Sequence, residues 1–478
     1  MRDYILLYIN GVEHRVKGAD ALIPLTDYLR YGISACGTKV VCAEGDCGAC
    51  TVAVGRVNGD ELDYKPVNGC IQYIYQLDCA SIITVEGIKN GEELNCVQTA
   101  MVECHGAQCG YCTPGFIVAM SSMFDAGTEI NRASVKEGLT GNLCRCTGYL
   151  SIIDAALKTD AKSFQKFNTV YPPAPMREAF LEHQKEPARI ECEGRSVFCP
   201  SSLSQAVSFK KENPAAVIIS GGTDVCVNMN KRGLEPVHLM TTANLQGLDD
   251  IRHDEATLYV GSKVSLRTLE TYVKDLIPEF YNILFVFGSP QIRHAATLAG
   301  NIANASPIAD SLPFLFAMDA LIEVFGSAGP RRIKIQSLYK GYKVLSMEPD
   351  EIIVRIIIPI PKTDELLKLY KISRREHLDI SSFTAAVRMK NENGTIKSPV
   401  IAYGGVAPVV LRLKKTEEFL NGKPFTLETF TAAGKVACDE IAPISDVRGA
   451  RDYRLQLAQN ILVRFYHETA NQEQLVCL

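Results

Sequence analysis

The chain has 478 residues, more than one hydrophobic core organises, so two to four domains are expected. Its apolar fraction of 47% and charged fraction of 22% are ordinary for a folded globular protein, and a formal net charge of −4 argues against nucleic acid or an anionic membrane surface as the main partner. The start, MRDYILLYIN, does not read as a signal peptide, and no run of eighteen apolar residues follows, so the expectation is a cytoplasmic protein without a spanning helix.

In chain order, YILLYI and VEHRV flank Asn10-Gly11, the strongest two-residue hairpin signal. LTDYLRY reads as a short helix, and CTVAV, after a cysteine-rich loop, as a strand. Residues 1–88 are therefore read as one small mixed domain. Over 89–160 the apolar spacing becomes helical, in CVQTAMVEC and GFIVAMSSMF. Residues 161–190 are charged and proline-bearing and read as a linker. Residues 191–362 place glycine-rich loops between apolar strands, an α/β pattern. Residues 363–478 begin with alternating strands and end in helical stretches, an α+β pattern.

Twelve of the seventeen cysteines lie in the first 150 residues, and in a large cytosolic chain such clustering points to metal rather than disulfides. VCAEGDCGACTV places Cys42, Cys47 and Cys50 in the C-x4-C-x2-C spacing of a plant-type 2Fe–2S loop. Gly45 and Gly48 let that loop turn its amides inward. The fourth ligand is expected at Cys70, in PVNGCIQY, with Cys36 and Cys79 as the other candidates. A zinc site or inert thiols are the competing readings, although zinc more often takes CxxC pairs. A second set, Cys109 and Cys112 in QCGYC with Cys144 and Cys146 in LCRC, offers two more ligand pairs at helix ends. Cys96 and Cys104, at helical spacing, read as core thiols.

Further on, VIISGGTDVCVNM carries Gly221, Gly222, Thr223 and Asp224 after an apolar strand, so that free backbone amides can face a phosphate. A tight turn between strands is the ordinary alternative. QIRHAATLAGNIANASPIADSLPFL adds Ala296, Thr297, Gly300, Asn301, Ser306 and Asp310, small or polar positions suited to a pyrophosphate and ribose. No strand–GxGxxG–helix unit accompanies them, so a Rossmann site is not expected.

GTKVVCAEGDCGACTV, CHGAQCGYCTPGF and GNLCRCTGY resemble the two iron–sulfur signatures of the xanthine dehydrogenase family of molybdenum hydroxylases. The resemblance runs from residue 4 to about residue 465. It departs at Val41 and Ala43, where the family usually has Gly; at Leu150-Ser151, where Arg-Pro is common; and at TLAGN, where two glycines are common.

The resemblance implies a β-grasp ferredoxin-like domain, a helical-bundle 2Fe–2S domain, a non-Rossmann FAD domain and a C-terminal α+β domain. Ile218, Ile219, Ser220, Gly221, Gly222, Thr223, Asp224 and Val225 would wrap the FAD pyrophosphate. Thr297 and Asn301 would contact phosphate, Asp310 the ribose, and Phe287, Ile353 and Lys371 the flavin. Gln108 matches a pterin contact, and Glu376–Asp379 would lie near the nicotinamide-facing side. The second cluster would lie toward molybdenum and the first toward FAD. No catalytic residue is then expected in this chain, which would relay electrons.

As implied by the resemblance, the chain is the iron–sulfur/FAD subunit of an enzyme oxidising hypoxanthine and xanthine to urate. A molybdopterin-binding large subunit would be its partner in a dimer of heterodimers, and NAD its electron acceptor. The same subunit of a hydroxylase for another heterocycle or an aldehyde, a freestanding flavin diaphorase, and a zinc-binding adaptor are the rival functions.

Overall fold

The computed structural model describes residues 1–470; the end of the segment 363–478, residues 471–478, lies outside the described residues. Two compact units divide the chain: Met1–Gln246 with Gly288–Thr297, and Gly247–Phe287 with the chain from Leu298 onward. No helix among the described residues is long and apolar enough to cross a membrane.

The first unit is built on a mixed sheet of β1 (Ile5–Ile9), β2 (Val12–Val16), β3 (Thr51–Asn58), β4 (Glu61–Asn68) and β5 (Ala80–Ile83), in the order β2-β1-β5-β3-β4. β1 and β5 run parallel and the other pairs antiparallel, which is the β-grasp arrangement. Asn10 (φ 49°) and Gly11 (φ 80°) turn the first hairpin with the positive φ that matches strand twist. ILLYI and ASII are apolar almost throughout because both sheet faces are covered. Ile5, Leu7, Ala80 and Ile82 enter one core, while Leu6, Cys79 and Ile83 enter another.

The second face meets the helices α1 (Cys96–Glu103), α2 (Thr113–Asp125), α3 (Arg132–Gly138) and α4 (Leu150–Lys158). A reciprocal cap between Asn95 and Gln98 starts α1, and Pro114 in the first turn starts α2. The expected linker, 161–190, is a correction. It forms α5 (Phe167–Val170) and α6 (Pro173–His183) and buries Phe167, Met176 and Phe180. Phe180 meets Tyr8 edge-on at 5.5 Å, and Asn168 bonds the Leu62 backbone. Three apolar anchors scattered among charges suffice to dock the strap, yet they make no period that marks a helix.

The first face meets a sheet of β6 (Ala188–Cys192), β7 (Arg195–Cys199), β8 (Val217–Ile219) and β9 (His238–Thr241), in the order β6-β7-β9-β8. α7 (Leu203–Glu212) and α8 (Val225–Arg232) flank β8 in the chain. Ile190, Val197, Ile219 and Leu239 share one core with Ile5, Leu7 and Ile82. That continuity is why the start of the segment 191–362 falls in the first unit, with Gly288–Thr297, and the rest of it in the second.

The second unit holds an antiparallel sheet of β10 (Ile251–His253), β11 (Thr257–Gly261), β12 (Leu321–Gly326), β13 (Gly329–Lys334) and β14 (Ile352–Pro359), in the order β10-β11-β14-β12-β13. A separate meander, β15 (Leu366–Ile372), β16 (Phe383–Glu392), β17 (Thr395–Gly404) and β18 (Leu411–Arg412), shares a core with the helices Leu427–Glu440 and Arg451–Ala470.

Candidate metal and flavin sites

Cys42, Cys47 and Cys50 lie on the loop that leads into β3, and Cys70 lies in a tight helical turn just after β4. Ala43 (φ 54°), Gly45 (φ 79°) and Gly48 (φ 69°) all hold left-handed backbone. A Cβ on Gly48 would stand 2.2 Å from Gly141 O, so no larger residue fits there. The four thiols form a chain of contacts. Hydrogen bonds from Cys47 and Cys70 hold the Cys42 thiol well below its ordinary range; the same bonds, with one between Cys50 and Cys70, push Cys47 and Cys70 up. Asn68 donates Nδ2–H to Gly45 O at 2.8 Å and braces the loop.

Of the three candidates for the fourth position, only Cys70 has its sulfur in this chain. Cys79 is buried in the helical-side core at φ 56°, where burial raises its thiol, and Cys36 is exposed.

Cys112 stands at the N-cap of α2 with Cys109 just before it, while Cys144 and Cys146 precede α4. Their thiols pair across the two motifs. Cys146 Sγ lies 3.7 Å from Cys109 Sγ, and Cys144 contacts Cys112. A tetrahedral metal with bonds of about 2.3 Å sets two thiolates roughly 3.8 Å apart, so the first pair already spans the edge one iron needs.

Burial, then the Cys144 thiol, pushes Cys112 up to about 12. Burial would raise Cys144 too, but the Thr147 hydroxyl at 3.2 Å and the amides of Thr147 and Cys146 outweigh it and lower the thiol. No three His, Cys, Asp or Glu side chains among the described residues converge on one ion. Sulfurs grouped two by two suit a two-iron cluster, in which each iron takes two thiolates, better than a single zinc.

The cysteine spacings alone do not reveal how the two loops are joined. Leu143 N donates to Cys47 O at 2.9 Å, and Asn142 Nδ2 donates to Gly48 O at 3.0 Å. Gln291 Nε2, from the helix Pro290–Ala295, donates to Asn142 Oδ1 at 2.8 Å. A Cβ on Gly115 would stand 2.1 Å from Gly48 O, so α2 seats directly on the first loop. Asn142 stands within GNLCRC, but nothing in the spacing singles out Gln291. Cys96 and Cys104 pack at the margin of the helical core, and Gln108 is exposed beside Cys109.

In the first unit, Ile218 and Ile219 end β8, and Ser220–Asp224 form the loop into α8, which Val225 opens. Gly221 O accepts from Gln72 Nε2 at 3.3 Å, and a Cβ on Gly221 would stand 1.9 Å from Ala295 O. Gly222 (φ 72°) lies against Gln76 Nε2, a buried donor without an acceptor, which is the kind of group an incoming phosphate oxygen satisfies. Thr297 is buried nearby in the chain, after the helix Pro290–Ala295.

In the second unit, Lys371 Nζ donates to Asp310 Oδ2 at 2.8 Å and to Val286 O at 3.0 Å, next to Phe287. Ser381 Oγ donates to the other Asp310 oxygen at 2.5 Å. Asn301 accepts from Ser311, and Ile353 is buried in β14. In the Glu376–Asp379 turn, Asp379 accepts from the amides of Arg374 and Arg375, both at 3.0 Å, so that carboxylate is committed to its own turn.

Three family models match. One described as the [2Fe-2S] binding domain covers residues 84–157, and one described as the FAD binding domain in molybdopterin dehydrogenase covers 190–361. The third, described as the CO dehydrogenase flavoprotein C-terminal domain, covers 368–469. The chain belongs to the molybdenum hydroxylase family.

Among curated members of this family, the chain is 28% identical to a xanthine dehydrogenase of Emericella nidulans and 29% identical to xanthine dehydrogenase 1 of Arabidopsis thaliana, over 98% and 96% of its length. It is 27% identical to aldehyde oxidase 1 of Bos taurus over 98% of its length. It spans 39% of each of these relatives. Among solved structures, a carbon monoxide dehydrogenase of Hydrogenophaga pseudoflava is similar with a TM-score of 0.54 at 27% identity, over 56% of this chain and 94% of that one. A quinoline 2-oxidoreductase of Pseudomonas putida 86 is similar with a TM-score of 0.54 at 27% identity, over 57% and 96%. An iron–sulfur domain and an FAD domain follow from these matches.

Proposed function

We propose that the chain is the electron-transfer subunit of a xanthine dehydrogenase, relaying electrons from a molybdopterin-bearing partner to FAD and on to NAD. The observation that carries the reading is the pairing of thiols in two quartets whose loops are joined through Leu143 and Cys47. Cys42, Cys47, Cys50 and Cys70 would hold one 2Fe–2S cluster, and Cys109, Cys112, Cys144 and Cys146 the other.

When bound, such clusters carry electrons singly, and FAD can deliver them as a pair. This chain's part is to hold and bury. Left-handed residues curl the first loop around its thiols, Asn68 and Asn142 fix the loop carbonyls, and α2 covers it. Gly221–Asp224 would present backbone to a pyrophosphate, and Asp310, held by Lys371 and Ser381, would meet a ribose hydroxyl. Hydroxylation of a purine with oxygen from water releases two electrons and two protons; NAD takes both electrons and one proton.

The substrate reading draws on the xanthine dehydrogenases that match nearly the whole chain. The aldehyde oxidase match is nearly as strong, so an aldehyde-oxidising partner is the second reading. Co-expression with a molybdopterin-bearing partner tests both. The expected complex is coloured, holds about four irons per FAD, and forms NADH with xanthine. A colourless protein overturns the redox reading. Turnover of aldehydes but not xanthine overturns the substrate, and oxygen reduction without NAD stimulation overturns the acceptor. Failure of any molybdopterin chain to co-purify points to a freestanding diaphorase.

A further inference from the structure

The helix after the Gly221–Asp224 loop carries a side chain that neither the cysteine spacing nor the flavin residues account for. Asn230, in α8, donates from Nδ2 to Ala43 O and to Cys70 O, both at 2.9 Å. Its Oδ1 accepts from Tyr73 Oη at 2.9 Å. Carbonyls only accept and an amide nitrogen carries two hydrogens, so this orientation alone satisfies all three contacts. Ala43 directly follows Cys42, and Cys70 is itself a member of the first quartet. One side chain therefore closes the two segments that deliver Cys42 and Cys70. Cys70 and Tyr73 are buried, so these bonds are costly to lose. The same stretch of chain meets the strip 70–76 twice more, through Gln72 Nε2 to Gly221 O and Cys226 Sγ to Gln76 Oε1, each at 3.3 Å.

We propose that Asn230 is a positioning residue for the first iron–sulfur cluster. It fixes the separation of the Cys42 and Cys70 segments and keeps the Gly221–Asp224 loop in register with them. The inference rests on the assignment of that quartet to a 2Fe–2S cluster. Partners just outside a metal's ligands typically change metal affinity 10–100-fold when removed. Asn230→Ala removes all three bonds. Asn230→Asp keeps the acceptor for Tyr73 but turns a carboxylate toward two carbonyls. Tyr73→Phe keeps both donations and loses only the bond that orients the amide.

The test is redox titration of the purified holoprotein, followed by the paramagnetic signals of its reduced clusters, with iron release to a chelator. In Asn230→Ala and Asn230→Asp, the first cluster's signal is expected to change shape and midpoint, and its iron to leave about 10-fold faster. The second cluster's signal is expected to stay unmoved, and Tyr73→Phe to give a smaller change of the same kind. Should Asn230→Ala fail to fold, Asn230→Asp and Tyr73→Phe carry the same comparison. Unchanged potentials and release rates in folded variants would overturn the inference, as would equal shifts in both clusters, which mark a purely structural role. A wild-type protein that lacks the first signal overturns the quartet's assignment itself, and that result is visible before any variant is made.

Discussion

Ala43 holds left-handed backbone that strains any residue with a Cβ, and it does so one position after a thiol of the first quartet. Ala43→Gly relieves about 1–2 kcal/mol of that strain and returns about 0.4–1 kcal/mol through a freer unfolded chain. The net expectation is a gain of at most about 1.6 kcal/mol, seen as a higher temperature for loss of the first cluster's signal. Cys70→Ser is expected to abolish or distort that signal, whereas Cys79→Ser leaves it, because Cys79 faces the helical core. An intact first signal in Cys70→Ser would move the fourth ligand elsewhere. Gly222 carries two burdens at once. A Cβ there meets Gln76 Nε2 at 2.5 Å and Cys226 Sγ at 2.8 Å. Gly222→Ala is therefore expected to destabilise even flavin-free protein by about 1–3 kcal/mol in denaturant unfolding, so flavin loss in such a variant is no clean measure of pyrophosphate binding.

At the scale of elements, α2 is buried along nearly its whole length yet ends on Asp125, an acid at the negative end of the helix dipole. Burial raises the Asp125 carboxyl above its ordinary range, and the Phe167 amide at 2.7 Å only partly offsets this. A carboxyl raised in the folded state costs stability while it is ionised, and that cost fades as pH falls and it takes its proton. Asp125→Asn, whose side-chain oxygen can still accept from Phe167, is expected to raise stability at neutral pH by about 0.3–1 kcal/mol. The advantage should shrink as pH drops into the carboxylate range; a gain that does not depend on pH would contradict the account. The strap 161–190 shows why its helices were hard to read: Phe167, Met176 and Phe180 are too few among charges to set a period, and only the face offered by Tyr8 and Tyr64 makes them anchors.

At the scale of the molecule, the first unit is tied together by a buried ion pair that no motif announces. Arg2 holds Asp78 through two bonds of 3.0 and 2.7 Å, and Asp78 also accepts from Leu6 N and Asn244 Nδ2. Asp78→Ala leaves a buried guanidinium unpaired and is expected to cost about 3–5 kcal/mol in denaturant unfolding, with the visible absorbance of both clusters lost in the same transition. A loss confined to one cluster would show that the unit does not unfold as a whole. The sequence by itself determined the cysteine motifs, the Asn10-Gly11 hairpin, the main helices and the loop at Gly221, because each depends on spacing or backbone freedom within a few residues. Only the tertiary structure set the Cys70 sulfur against the thiols of the first loop and Cys79 in the helical-side core, paired Cys109 with Cys146, and brought Asn230, Asn142 and Gln291 to the cysteine loops. Those choices depend on which surfaces meet across one shared core, and no local pattern encodes a contact between residues 43 and 230.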